Sequence, residues 1–297
     1  MMDLWKNRYF TPMLLGEVFK PFNSQDYIFE IKFDGTRTVI FANRKEVKIY
    51  NRRKEDITYL YPELQNIKNI VKNNTIFDGE IILMDNGVPS FSKLQLRSHL
   101  KNKEKIKYNS IYNPVIFICY DILYNNKNII NLPLIERKQI LNKFADNDFF
   151  VKSAYVINYG ISLFDFVKRN DLEGIVAKKI NSLYSINKRS EDWLKIKNLK
   201  EEEFLIGGYL EKENSFVISL ILGEYKENEF YYVGRVTLGK KTTLYKQLFK
   251  NKKTKSYFIN HDESGVVYVK PSLKCKVKYM ERTKNNHLRQ PYLSDIN

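Results

Sequence analysis

The sequence predicts an α+β fold for its first two-thirds, followed by a smaller all-β unit. Three observations carry this. Apolar alternation of period two recurs from residue 27 onward, the strand runs are interspersed with helical runs, and after residue 198 the strands come almost without helices. With 297 residues, 43% of them hydrophobic and 28% charged, the chain has enough apolar mass for one large or two ordinary cores, which excludes wholesale disorder.

The segments YIFEIKF, RTVIFA and EVKIY between Tyr27 and Tyr50 alternate and are separated by DGT and NRK, which predicts antiparallel strands of a half-buried sheet. Leu64, Ile67 and Val71 stand at helical spacing. TIFDGEIILM (75–84) and PVIFICYDIL (114–123) return to strand texture. Pro133 opens the helical stretch LIERKQILNKF, since proline is tolerated in a first turn. ISLFDFVKRN (161–170) is a second helix, and EGIVAKKI and DWLKIKN are strands after it. The charged run LKEEE then separates two textures, placing a boundary near Leu199, with units 1–198 and 199–297. FLIGGYL, SFVISLILG, FYYVGRVTLG, GVVYVKP and CKVKYME with one helix, TTLYKQLFK, give the recipe of a small Greek-key barrel such as an OB-fold.

Fifty Lys and Arg against thirty-four Asp and Glu leave a net charge of +16, which points to a polyanionic partner, nucleic acid foremost; a codon bias toward lysine would give the same excess. No apolar run approaches the ~20 residues that span a bilayer, and MMDLWKNRYFTPML lacks the core of an export signal. A soluble cytosolic protein without a membrane partner is expected. Cys119 and Cys275 are too few for a disulfide framework, and His99, His261 and His287 have no metal-ligand spacing.

Lys32, in Glu30-Ile-Lys-Phe-Asp-Gly-Thr-Arg37, sits where a strand runs into an Asp-Gly turn. By itself this is a solvated lysine before a hairpin. An ordinary lysine titrates near ~10.4 and becomes nucleophilic only when neighbouring cations or burial favour loss of its proton. Lys195 and Lys197, two apart in WLKIKN, share one strand face and supply such cations and phosphate contacts. Glu80 in FDGEI and Glu173 in EGIVAKK, taken with Asp34, are carboxylates suited to a ribose hydroxyl and a divalent metal.

Taken in order, these phrases resemble the ATP-dependent DNA ligases among the covalent nucleotidyltransferases, and most of all the ligase domain of bacterial end-joining enzymes. KFDGTR resembles motif I, NRRKEDIT motif Ia, FDGEI motif III, CYDILY motif IIIa, EGIVAKK motif IV and WLKIKN motif V, over nearly the whole chain. The resemblance implies Lys32 as the residue that carries AMP, with Asp34 beside it in the catalytic motif. It implies Glu30 at the adenine amino group, Tyr120 stacked on the adenine and Glu80 on the ribose. Glu173, with Glu80, would hold Mg2+ or Mn2+, while Lys195 and Lys197 would hold the α-phosphate. Arg37, Arg52 and Arg189 would contact phosphates of the nucleotide or the nick. ATP is the implied nucleotide, and nicked duplex DNA the implied partner of a monomer working in the nucleoid, with an end-bridging protein such as Ku as a further partner.

Two departures stand out. The family continues past Leu288-Arg289-Gln290-Pro291 into an Arg-x-Asp-Lys element, motif VI, whereas this sequence ends at SDIN. Either the first step is weakened, another cation such as Arg289 substitutes, or the sequence stops short of that element. Lys54 stands where motif Ia often has glycine. The polymerase and phosphoesterase modules that accompany such domains are also outside this sequence, implying stand-alone nick sealing or recruitment. Competing readings are an mRNA-capping guanylyltransferase, an RNA ligase and a degenerate, non-enzymatic nucleic-acid clamp; an NAD-dependent ligase is disfavoured by length and cysteine count.

Overall fold

A computed structural model describes residues 3–8, 10–211, 215–251 and 253–294. The closing residues of SDIN lie outside that range. The chain forms two compact units, Met1–Asn198 and Leu199–Asn297. In order, the first holds β1 (Leu14–Glu17), β2 (Tyr27–Lys32), β3 (Thr36–Ala42), β4 (Val47–Asn51), β5 (Thr75–Asp85), β6 (Val88–Pro89), α1 (Phe91–Ser98), α2 (Lys103–Tyr112), β7 (Val115–Asn125), α3 (Leu134–Leu141), β8 (Phe150–Lys152), β9 (Tyr155–Ile157), α4 (Gly160–Arg169), β10 (Gly174–Lys179) and β11 (Arg189–Lys197). The run around Leu64 and Ile67 is a 3-10 helix, Pro62–Asn69, entered through Pro62 at its first position.

These strands make two sheets, ordered β1-β11-β10-β2-β9 and β4-β3-β5-β7-β8, with β6 hairpinned onto β5. Here the structure corrects the sequence reading: the Asp34-Gly35 turn closes no hairpin. β2 pairs with β9 and β10, β3 with β4 and β5, so the turn carries the chain from one sheet to the other. The NRK turn does close a hairpin, between β3 and β4, where the Asn43 side-chain oxygen accepts from the backbone N–H of Lys45 and Glu46. Gly35 is required at the crossing, because a Cβ there would lie 2.3 Å from the Ile81 carbonyl and 2.7 Å from Cγ of Glu80. Because β3 is sandwiched, Thr38–Ala42 are buried on both faces instead of alternating.

The core between the sheets joins Ile28 and Trp193 on one side to Val39, Phe41, Ile76 and Leu123 on the other. Each contributes about 1.5–3 kcal/mol by leaving water. Outside the five-stranded sheet, α4 buries Phe164 and Val167 against Phe29, Ile175 and Ile196. α3 lies on β7 and sends two consecutive cations inward: Arg137 to Asp121 of β7 and Lys138 to Glu30 of β2.

The second unit contains β12 (Lys200–Glu211), β13 (Val217–Lys226), β14 (Glu229–Gly239), α5 (Thr243–Lys250), β15 (Val266–Tyr268), β16 (Lys274–Tyr279) and β17 (Tyr292–Leu293). The charged run LKEEE leads directly into the longest of these strands. Its acids face the basic strand β16 in register, Glu201 opposite Lys278 and Glu203 opposite Lys276, and Glu202 pairs with Arg282 at 2.6 Å. β12 pairs with β16 through residues 200–205 and with β15 through 208–210. Bulges at Ile206/Gly208 and Leu222/Gly223 curl the sheet around Leu220, Leu222, Val233, Val277 and Leu248 of α5, as in an OB-fold barrel. Among the described residues no helix is long and apolar enough to cross a membrane.

Candidate active site

The sequence-predicted residues collect where the two sheets of the first unit face each other. The five-stranded sheet supplies a row across three strands: Lys32 on β2 is opposite Gly174 on β10, which is opposite Lys197 on β11. Two positions along, on the same face, Glu30, Val176 and Lys195 form the next row. Gly174 has φ +153°, and a Cβ there would lie 2.2 Å from the Ile196 carbonyl, so glycine lets β10 fit between the two lysine-bearing strands. Just before it, Glu173 receives the Lys32 ammonium at 2.6 Å. Lys195 and Lys197 both reach Glu17 on β1, at 3.2 and 3.5 Å.

The other sheet supplies Arg37, Glu80 and Tyr120. Arg37 and Glu80 are opposite on β3 and β5. Tyr120 is the extra residue at a bulge, where Asp78 faces Asp121 but Gly79 faces Cys119. The bulge re-aims the ring so that its hydroxyl donates to Glu80 at 2.5 Å. Arg37 grips Asp78 with two nitrogens, at 3.1 and 2.7 Å, and Asp78 also accepts from the Tyr184 hydroxyl at 2.7 Å.

The two halves interact. Burial lifts the Glu80 carboxyl to about 7; the Tyr120 hydrogen bond, Lys32 and Arg37 pull it down, and Glu173 pushes it up. The folded protein therefore keeps a proton that the unfolded chain releases in the ordinary carboxylate range. The unfolded state binds fewer protons between about 4.5 and 7, so stability declines as pH rises through that window and levels off above it. Glu80→Gln is expected to flatten this decline, read as the denaturant midpoint against pH.

Beneath Tyr120 lies a polar cluster that no motif spacing announced. Both oxygens of buried Glu30 are taken, one by Lys138 and the other by Lys178 at 2.7 Å. The Lys178 ammonium sits 4.6 Å from the Tyr120 ring centre and 4.1 Å from that of Trp193. Burial is the main force drawing Lys178 down to about 8, with Glu30 opposing it. Glu17, Asp78, Lys138, Lys178 and Tyr184 thus join the site from outside the predicted set. Asp78 and Lys178 do lie within FDGEI and EGIVAKK, the signal that could have found them.

Arg52 and Arg189 stand apart from this cluster. Arg189 begins β11 and donates to the Leu15 carbonyl. Arg52 is exposed on the turn after β4, organised by the Asn51 side chain, which accepts from the N–H of Arg53 and Glu55. That turn puts Lys54 at φ +68°, the left-handed region, which accounts for glycine at the matching motif position. Lys54→Gly is expected to raise stability by under about 1 kcal/mol, part of the relieved strain returning as unfolded-state entropy. A small rise in the denaturant midpoint checks it. Asp34 is half-buried on the crossing turn.

Among the described residues no group of three or more His, Cys, Asp or Glu could hold a metal ion by itself. Glu173 and Glu80 are instead a pair of carboxylates beside Lys32, a donor set that fits a magnesium-type ion sharing its shell with phosphate oxygens.

The model of the ATP dependent DNA ligase domain matches residues 12–197, and that of the ATP dependent DNA ligase C terminal region matches 213–296. The SPbeta prophage-derived DNA ligase-like protein LigB of Bacillus subtilis is 32% identical, over 95% of this chain and 96% of its own. The multifunctional non-homologous end joining protein LigD of Mycolicibacterium smegmatis is 30% identical over 95% of this chain, which spans only 37% of that relative. The crystal structure of the ligase domain of M. tuberculosis LigD superposes with a TM-score of 0.58 at 25% identity, covering 97% of this chain and 95% of that one. With its two units matched by the two ligase models and its motif residues gathered between two sheets, the chain belongs to the family of ATP-dependent DNA ligases.

Proposed function

We propose that this ligase seals nicks in duplex DNA through an AMP-lysine on Lys32. The observation that carries the reading is the Lys32–Glu173 contact at 2.6 Å, in a seam that also holds Glu80, Tyr120, Lys195 and Lys197. In the first step the Lys32 amine, having given up a proton, bonds to the α-phosphorus of ATP as the bond to pyrophosphate breaks. In the second, a 5′-phosphate oxygen at the nick takes the adenylyl group and the lysine is regenerated. In the third, the 3′-hydroxyl attacks that phosphate, and AMP leaves. All three are in-line displacements in which positioning and charge balance lower the barrier.

Lys195 and Lys197 neutralise the α-phosphate, trading Glu17 for phosphate oxygens. Tyr120 offers its ring to adenine while Lys178 fixes it from beneath, and Glu30 would take the adenine amino group only by giving up one of its two lysine partners. Glu80 takes the ribose, and Asp34 serves the lysine from the crossing turn. Arg37, Arg52 and Arg189 hold phosphates of the nucleotide and the nick. Glu173 and Glu80 would hold magnesium or manganese, which would supply further neutralisation at the phosphates. We place the protein as a monomer in the nucleoid, serving repair or end joining, with an end-bridging protein such as Ku as the partner that delivers broken ends.

The test is intact-protein mass after incubation with magnesium and ATP, GTP or NAD in parallel. One AMP adduct from ATP alone, mapped to Lys32, is expected. A GMP adduct instead would move the reading to capping chemistry. If no adduct forms, failure to seal a pre-adenylylated nick would favour the inert clamp.

A further inference from the structure

Helix α2 is built inside out. Of its ten residues only Ile106 is buried, while Tyr108, Ile111 and Tyr112 are 58, 63 and 66% exposed. At 100° per residue, Tyr108, Ile111 and Tyr112 fall on the face opposite Ile106, with Lys105 and Lys107 on its two flanks. The two tyrosines, one turn apart, stack on each other with ring centres 4.5 Å apart and planes inclined by 33°. Lys101, Lys103, Lys105 and Lys107 are all exposed, against the single acid Glu104. The helix is well made despite facing outward: the Asn102 side chain caps it by accepting from the Lys105 N–H at 3.0 Å.

A pair of solvent-facing aromatic rings bordered by cations has the chemistry of a base-stacking platform. Lysines attract a phosphate backbone, and exposed rings take unpaired bases regardless of sequence. A paired duplex hides the faces of its bases and would use only the lysines; an acidic protein surface would leave the rings without stacking partners. We infer that α2 is a binding site for single-stranded nucleic acid, the class of strand that overhangs a break. The placement suits that role: α2 leads straight into β7, and from Val115 to Tyr120 that strand covers about 17 Å, so an overhang held there would lie clear of the joint being sealed. The inference deepens the ligase reading but is tested by binding alone.

The experiment is fluorescence anisotropy of the full chain with a labelled short oligothymidylate and, separately, with a nicked duplex. Tyr108→Ala combined with Tyr112→Ala is expected to weaken oligothymidylate binding about tenfold or more, leaving nicked-duplex affinity and sealing rate at the parent values. Tyr108→Phe with Tyr112→Phe should retain binding, because the ring is kept. Lys105→Gln with Lys107→Gln should lower the slope of affinity against salt. Unchanged oligothymidylate binding in the alanine pair, an equal loss on nicked duplex, or failure of the phenylalanine pair would each overturn the site. Failure of the parent protein to seal even a pre-adenylylated nick would refute the ligase reading and leave the binding result to stand or fall separately.

Discussion

Lys32→Ala forms no AMP adduct with ATP, while its far-ultraviolet spectrum and its affinity for nicked duplex stay close to those of the parent. That is the expected result, and it follows from where the lysine sits. Lys32 ends β2, so the backbone around it is held by pairing to β9 and β10 and does not depend on its side chain. Its ammonium lies on the half-buried Glu173, in a seam it shares with Lys195 and Lys197, each engaged with Glu17. Lys32→Arg should fail as well, because a guanidinium keeps its proton and cannot attack phosphorus. Removing the Lys32 charge also removes one of the forces holding Glu80 down, so the pH window in which Glu80 loses its proton should move upward in Lys32→Ala. An AMP adduct on Lys32→Ala, seen by intact mass, would overturn the nucleophile assignment.

The motif phrases were legible because each is local. The strands that carry Lys32, Glu80, Lys195 and Lys197, and the strand that Glu173 leads into, can be read from their apolar texture, and the spacing of two in WLKIKN puts both lysines on one face. What was not legible depends on partners distant in the chain. The Asp34-Gly35 dipeptide has the local chemistry of a hairpin turn; only the packing of Gly35 on Glu80 and Ile81 makes it a crossing between sheets. The acidic start of β12 reads only as a charged boundary between two textures until the lysines of β16, some seventy residues on, lie opposite it. Helix α2 is hidden for another reason: its apolar residues face solvent, so the stripe that marks a helix by its buried side is missing. Glu30 is separated from Lys178 by 148 residues, and Tyr120's orientation comes from a bulge that no periodicity records.

The same long-range ties govern the largest expected effect on stability, at Arg137. Its guanidinium and the Asp121 carboxylate are both fully buried, 2.8 Å apart at their closest pairing, with a second nitrogen on the same carboxylate at 3.0 Å. The remaining nitrogen donates to the carbonyls of Leu132 and Ser182, so one side chain ties α3 and two loops to β7. Arg137→Met leaves the Asp121 charge in the core with, among the described residues, only the Ile122 backbone N–H as a remaining hydrogen-bond donor, at 2.8 Å, and should cost about 3–5 kcal/mol, a large part of a domain's stability. Replacing both partners by apolar residues of similar size should recover most of that loss, since the penalty belongs to the orphaned charge more than to the pair. Chemical denaturation of the two single variants and the double variant measures it; a double variant as unstable as the sum of the singles would refute the account. Asp121 directly follows Tyr120, and Ser182, which Arg137 also holds, lies two residues before Tyr184, whose hydroxyl supports Asp78 and through it Arg37. Arg137→Met should therefore also weaken ATP-dependent adduct formation at temperatures where it remains folded, by loosening the base platform and not the nucleophile.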